Sequence, residues 1–122
     1  MVTCRRRQAG RRANSMLQRE AVSAALRDVE RAAEAMETFL SAHAPHWAGY
    51  GSSISEFAAE LSEREMTRAD LRTLQDRAYE PFRGTFGSMH DLSFFGSLET
   101  DYQELKRQLG RALDAVESAF RA

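Results

Sequence analysis

Apolar residues return at every third or fourth position along most of this 122-residue chain. Because an α-helix turns once in about 3.6 residues, this spacing places the apolar side chains on one face of a helix. A β-strand instead requires a period of two and is rich in β-branched residues, and the chain has no run of these. The periodicity therefore predicts an all-α fold, and the length fits a single domain.

Four stretches of the chain carry this helical period. The first two have apolar positions at Val22, Leu26, Val29, Ala33, Met36 and Leu40, and then at Trp47, Tyr50, Ile54, Phe57 and Leu61. The last two have them at Leu71, Leu74, Ala78 and Phe82, and then at Leu98, Tyr102, Leu105, Leu109, Leu113 (or Ala112), Val116 and Phe120. We therefore predict a four-helix bundle-like single domain over residues 16–122, with Trp47 as the aromatic anchor of its core.

Residues suited to the ends of helices support this division. The expected capping residues are Asn14 or Ser15 before the first helix, Thr67 with Asp70 before the third, and Ser97 before the fourth. Their side-chain oxygens accept hydrogen bonds from the unpaired amides of a first helical turn. Proline interrupts a helix, so Pro45 and Pro81 predict breaks after the first helix, near His43, and after the third.

The helical period fails between Phe82 and Ser97, where the sequence reads F-R-G-T-F-G-S-M-H-D-L-S-F-F-G-S. Its glycines favour irregular backbone, and its four phenylalanines must pack against the helices or against a partner. Loops of more than about 12 residues are uncommon in compact domains and are often functional. We therefore predict a long Gly/Phe-rich loop between the third and fourth helices. Its expected interaction or structural residues are Gly84, Thr85, Phe86, Gly87, Ser88, Met89, His90 and Asp91.

The charges divide the chain into two parts. Residues 1–15 carry five of the 17 basic residues and no acidic one, which leaves 12 basic against 18 acidic residues from Met16 onward. This composition predicts a basic, disordered extension, or a stretch upstream of a translation start at Met16, before an acidic domain. An alternative is a nucleic-acid-associated regulator that binds phosphates through the arginines of residues 5–12.

Two features bear on location. Cys4 is the only cysteine and can form no internal disulfide, which favours a reducing compartment. No apolar run approaches the roughly 18 residues that span a bilayer. These observations predict a cytoplasmic protein that does not enter the membrane.

Two clusters of residues have side chains of the types found in metal or catalytic sites. His43 and His46 have a spacing suited to a metal, but Pro45 separates them and no third ligand is near in sequence. Ser88, His90 and Asp91 are the residue types of a hydrolytic triad, yet they lack the G-x-S-x-G context of a nucleophile elbow. We predict no catalytic residue, cofactor or metal site, and keep a small-ligand or hydrolytic site at Ser88, His90 and Asp91 as an alternative.

The segment Gly84–Leu92, G-T-F-G-S-M-H-D-L, resembles the loop motif G-x-x-G-S-x-[NH]-D-L of an uncharacterised family of small bacterial all-helical proteins. His46 and Trp47 match a His-Trp pair on an upstream helix of that family. The chain departs from the usual Gly at Thr85 and the usual Asn at His90. The resemblance implies a bacterial protein of immunity type, because such proteins are found near toxin genes.

Together these observations predict a non-enzymatic interaction protein. It is expected to bind a protein partner, such as a toxin, or a second copy of itself in a homodimer. The expected surface is the loop at residues 84–97 together with neighbouring acidic helix faces, which attract a basic partner.

Overall fold

The computed structural model describes the backbone of residues 2–83 and 88–122 and the side chains of residues 16–83 and 88–122. Its four α-helices are α1 (Val2–His43), α2 (Gly49–Ser62), α3 (Arg68–Tyr79) and α4 (Ser97–Arg121). Short 3₁₀ helices occupy Pro45–Trp47, Glu80–Phe82 and Met89–Asp91. Within these described ranges the chain has no β-strand, and the predicted all-α, four-helix fold is confirmed.

Helix α1 is the element around which the others pack. It contacts both α2 and α4, while α3 packs against α2. All six apolar positions that the sequence placed on its inner face are buried. Burying such a stripe, at roughly 25 cal/mol per Å² of apolar surface, is the main source of stability for a helix in water.

Only one end of α1 lies where the sequence predicted it. The helix ends at His43, as predicted, but begins at Val2 rather than after a cap at Asn14 or Ser15. Asn and Ser cost only a few tenths of a kcal/mol inside a helix, so flanking alanines and arginines can continue it. The prediction that residues 1–15 lie outside the folded domain depends on side chains outside the described residues, and it stays a prediction.

Helix α2 begins later than the apolar spacing indicated. Trp47 belongs to the preceding 3₁₀ helix and is only half-buried, so it borders the core rather than occupying its centre. The α2 start has no local side-chain cap. Instead the Glu37 carboxylate of α1 accepts a hydrogen bond of 2.8 Å from the Ser52 amide. A neighbouring helix thus supplies the anion that the positive end of α2 favours.

The starts of α3 and α4 are capped in different ways. Thr67 and Asp70 form the predicted capping box, in which the Asp70 amide donates to Thr67 Oγ1 and the Thr67 amide donates to Asp70. Ser97 is the first residue of α4 and not its cap, which corrects the sequence prediction. The cap position is Gly96, whose φ of 61° is readily adopted only by glycine.

The buried side chains form two cores. The first core joins α1, α2, α3 and α4 around Leu26, Val29, Ile54, Leu61, Leu74 and Val116. The second core consists of Met36, Leu40, Met89 and Tyr102, with partly buried aromatics around them. Because Met89 lies in the segment before α4, that segment is packed onto α1 and α4 through the second core.

Candidate interaction site

The segment that precedes α4 begins with a tight turn. Ser88 Oγ accepts a hydrogen bond of 3.3 Å from the His90 amide, and the Ser88 carbonyl accepts one of 3.1 Å from the Asp91 amide. Serine favours such turns because its hydroxyl bonds nearby backbone. The turn directs Met89 inward, where its side chain is fully buried, and leaves His90 and Asp91 exposed. Met89 therefore anchors the segment in the second core.

Phe94 is the second residue that packs this segment against the helices. Its ring packs edge-on against Phe39 and Tyr102, with centroid distances of 5.0 and 5.1 Å. Edge-to-face aromatic pairs add about 0.5–1.5 kcal/mol beyond the area that they bury. The Phe94 amide also donates to the Glu99 carboxylate at 2.8 Å. Hydrogen bonds from Gln103 and from this amide lower the pKa of Glu99, so the acceptor is held in its charged form.

Phe95 is presented to solvent by the residues on either side of it. Its side chain is 95% exposed, whereas Met16, Leu17 and Tyr79 are 37–64% exposed. Phe94 holds the backbone before it, and Gly96, in a left-handed conformation, turns the chain into α4 after it. The structure therefore carries an aromatic ring outside the core, between the packed Phe94 and the start of α4, where the Glu99 amide donates to the Gly96 carbonyl.

The surroundings of this ring are acidic. Residues 88–104 contain no arginine or lysine and carry the carboxylates of Asp91, Glu99, Asp101 and Glu104. The next cation along the chain, Lys106, faces the rings of Phe82 and Tyr102 at 5.1 and 5.2 Å. The chain on either side of Phe95 is thus acidic, and acidic side chains favour a positively charged partner.

Tyr102 lies beneath the segment, and its hydroxyl group is buried. The residue is fully buried, and among the described residues its hydroxyl has no hydrogen-bond partner. Burial, with the nearby Glu99 charge, raises the pKa of Tyr102 to about 12. The phenol is consequently neutral, and its role in this structure is to pack against Phe39 and Phe94.

The structure describes four of the eight predicted site residues. Gly84, Thr85, Phe86 and Gly87 lie outside the described residues, so their part in an interaction stays a prediction. The other four form the turn and its anchor, namely Ser88, Met89, His90 and Asp91. Sequence reasoning did not separate Phe95 from the other phenylalanines. Residues 92–95 alternate between half-buried and exposed in the structure, and no spacing in the sequence distinguishes Phe94 from Phe95.

The alternative sites can be placed in the same way. His43 stacks near Phe39 with centroids 4.8 Å apart, and His46 meets Trp47 edge-on at 5.3 Å. No three potential metal-ligating side chains come together within the described part of the chain. For the hydrolytic alternative, the contact between Ser88 and His90 uses the backbone amide of the histidine. The arginines of residues 5–12 lie outside the described side chains, so the nucleic-acid hypothesis stays untested.

Comparison with protein-family models, with curated proteins and with solved structures gives no match for this chain. The resemblance of residues 84–92 to a bacterial family accordingly remains an expectation. Searched over the described residues, the helices contain no segment long and apolar enough to cross a membrane.

Proposed function

We propose that this protein is a non-enzymatic binding module whose docking surface is the segment 88–97 and the acidic first turns of α4. The observation that carries the proposal is the 95% exposure of Phe95 on a backbone that the neighbouring residues hold in place. An apolar ring in water is unfavourable, and aromatic side chains are among the residues that contribute most to binding at protein interfaces.

The fixed backbone is what makes Phe95 suited to binding. Ordering a side chain and its loop at an interface costs about 0.5–1.5 kcal/mol for each immobilised residue. Met89 and Phe94 are already packed in the second core, so little of this ordering remains to be done when a partner binds. Pre-organisation of this kind raises affinity without additional contacts.

The charges indicate the chemistry of the partner. Asp91, Glu99, Asp101 and Glu104 flank Phe95 in the sequence, and residues 88–104 contain no arginine or lysine. The complementary surface is an apolar pocket that receives Phe95, with a rim of arginine and lysine side chains. Such complementarity speeds association and excludes partners of like charge. The proposed partner is therefore a basic protein.

The biological form of this proposal is an immunity-type protein that binds and blocks a bacterial toxin in the cytoplasm. Its support is the resemblance of residues 84–92 together with the acidic surface that adjoins them. Many toxins that act on nucleic acids are basic because they must bind phosphates, and an acidic blocking surface fits that chemistry.

A photo-crosslinking experiment tests the proposal. A photoreactive p-benzoylphenylalanine replaces Phe95 in one variant and Leu17 in a matched control, since Leu17 is an exposed apolar residue (64%) on α1. In cells of the source organism, position 95 should capture a basic protein that position 17 does not capture. The purified captured protein should bind wild type, and its affinity should fall about 30-fold for Phe95→Ala and less than about twofold for Leu17→Ala.

Three results contradict the proposal. Capture of the same proteins from both positions removes the specificity of Phe95. An affinity that Phe95→Ala leaves unchanged removes its role as anchor. Capture of a second copy of this chain from position 95 makes the surface a homodimer interface instead.

A further inference from the structure

An apolar cavity of about 140 Å³ lies between α2, α3 and α4, away from Phe95. Its walls are Tyr50, Ala78, Tyr79, Phe82, Lys106, Leu109, Gly110 and Leu113. The one hydroxyl that faces this region from α2, that of Tyr50, donates a hydrogen bond of 2.6 Å to the Ala78 carbonyl. Apart from the Lys106 ammonium and the Tyr79 hydroxyl, the wall therefore consists of aromatic rings and aliphatic groups.

Gly110 keeps part of this volume empty. A glycine inside a helix costs about 1 kcal/mol relative to alanine, which is normally offset when another element packs closely against it. Here a Cβ atom added to Gly110 would meet no atom within 4 Å. The glycine thus serves no close helix contact, and the space beside it belongs to the cavity.

Lys106, the only lysine of the chain, supplies the charge at this cavity. Its ammonium group lies over the rings of Phe82 and Tyr102 at 5.1 and 5.2 Å. The ion pairs among the described side chains are all made by arginine, so Lys106 makes no close ion pair there, although its charge helps to lower the pKa of Glu99. The nearby Glu99 carboxylate is engaged by Gln103 and by the Phe94 amide.

The end of the cavity at Tyr79 lies near two carboxylates of α4, Asp114 and Glu117, which do not line it. Burial, together with these two charges, raises the pKa of Tyr79. An anionic group in the cavity is repelled from this end and attracted to the end at Lys106. The two ends therefore impose one orientation on a ligand with an apolar body and a single negative charge.

We propose that this cavity binds a small aromatic carboxylate, with its ring against Leu113 and the packed pair of Tyr50 and Phe82, and its carboxylate at the Lys106 ammonium. The cavity is partly open to solvent and is close in volume to a core cavity of about 150 Å³ that holds benzene, so it can take the ring while the carboxylate lies at its edge. The aromatic walls favour a ring through edge-to-face contacts. None of the residues that line the cavity belongs to the segment 88–97, so this proposal does not depend on the proposed function.

The test uses benzoate and its neutral isostere benzamide as probes. Titration of the full-length protein is followed by the methyl NMR signals of Ala78, Leu109 and Leu113, which line the cavity. Benzoate should shift these signals saturably with a dissociation constant on the order of 1 mM, and benzamide should bind about tenfold more weakly. Shifts that do not saturate, or equal binding of the two probes, overturn the proposal.

Two variants locate the site. Lys106→Met should abolish the preference for benzoate over benzamide, whereas Arg107→Met, on the same turn but paired with Glu104 outside the cavity, should leave it unchanged. Gly110→Leu should fill the cavity and abolish the binding of both probes, with circular dichroism showing that the helices are retained. If Lys106→Met keeps the preference, the carboxylate does not lie at Lys106 and the proposal is wrong. If a folded Gly110→Leu variant still binds benzoate, the cavity is not the site.

Discussion

At the scale of single residues, two tyrosines show how the same side chain contributes differently according to its partners. Tyr50 and Tyr102 both pack in or beside the second core, but only Tyr50 has a described acceptor for its hydroxyl. A buried polar group without a partner costs about 1–3 kcal/mol, whereas a satisfied one contributes about 1 kcal/mol. The sequence provides no sign of this difference, because it depends on what surrounds each oxygen.

Removing the two hydroxyls should therefore have opposite effects. We expect Tyr102→Phe to raise the free energy of unfolding by about 1 kcal/mol, because an unpaired buried hydroxyl is lost. Tyr50→Phe should lower it by about the same amount, because the Ala78 carbonyl loses its donor. Urea denaturation of the three proteins measures both changes. A loss of stability in Tyr102→Phe would mean that its hydroxyl has a bonding partner in solution.

At the scale of elements, the contact between α1 and α2 depends on a missing side chain. A Cβ atom on Gly51 would lie 2.6 Å from the Ala33 carbonyl oxygen and 2.7 Å from the Glu37 amide nitrogen. Both are backbone atoms of α1, so the helices would have to separate to admit it. The close approach also brings Glu37 within reach of the Ser52 amide, which it caps.

Gly51→Ala should consequently destabilise the protein by about 2 kcal/mol, since overpacking exceeds the gain in helix propensity of about 1 kcal/mol. Gly49→Ala is the matched control, because an added Cβ there meets nothing within 4 Å. It should leave the stability equal or slightly higher. Thermal unfolding of both variants followed by circular dichroism gives the comparison, and equal melting temperatures would contradict the close packing of α1 and α2.

The capping box of α3 makes part of the stability dependent on pH. A hydrogen bond from Arg64, at 2.6 Å, and those from Thr67 lower the pKa of Asp70 well below its usual value. Because the folded state holds Asp70 in its charged form, this stabilisation is present above about pH 4 and is lost as the pH falls below it.

Asp70→Asn should lower the free energy of unfolding by about 1 kcal/mol at neutral pH, and the difference from wild type should shrink as the pH falls below about 4. Asp28→Asn is the control, because Asp28 also pairs with an arginine, Arg31, but on an exposed helix face without a cap. It should change the stability by less than about 0.5 kcal/mol. Urea denaturation across this pH range checks the prediction, which fails if the two variants behave alike.

At the scale of the whole molecule, the two cores have separate tasks. The first core holds the four helices together, and the second core attaches the segment 88–96 to α1 and α4. The proposed docking surface therefore rests on only a few buried side chains, chiefly Met89 and Phe94. Removing one of them should release this segment while the first core stays closed.

Met89→Ala should loosen the segment 88–96 without loosening the packing of the four helices. The lost side chain leaves a cavity that costs about 2–5 kcal/mol. Amide hydrogen exchange should accelerate most at residues 88–96, while Leu61→Ala in the first core should accelerate exchange across all four helices. Uniform acceleration in Met89→Ala would show that the molecule has a single cooperative core.

The sequence by itself determined the number of helices, the inner face of α1 and the capping box of α3. These features depend on residues close in the chain, where the 3.6-residue period and the hydroxyl–carboxylate spacing act directly. Only the tertiary structure decided that Phe95 faces solvent while Phe94 is packed. It also decided that α1 packs closely against Gly51, and that a cavity lies beside Lys106 and Gly110. Each of these depends on atoms brought together from distant parts of the chain, and no local spacing specifies which of them will meet.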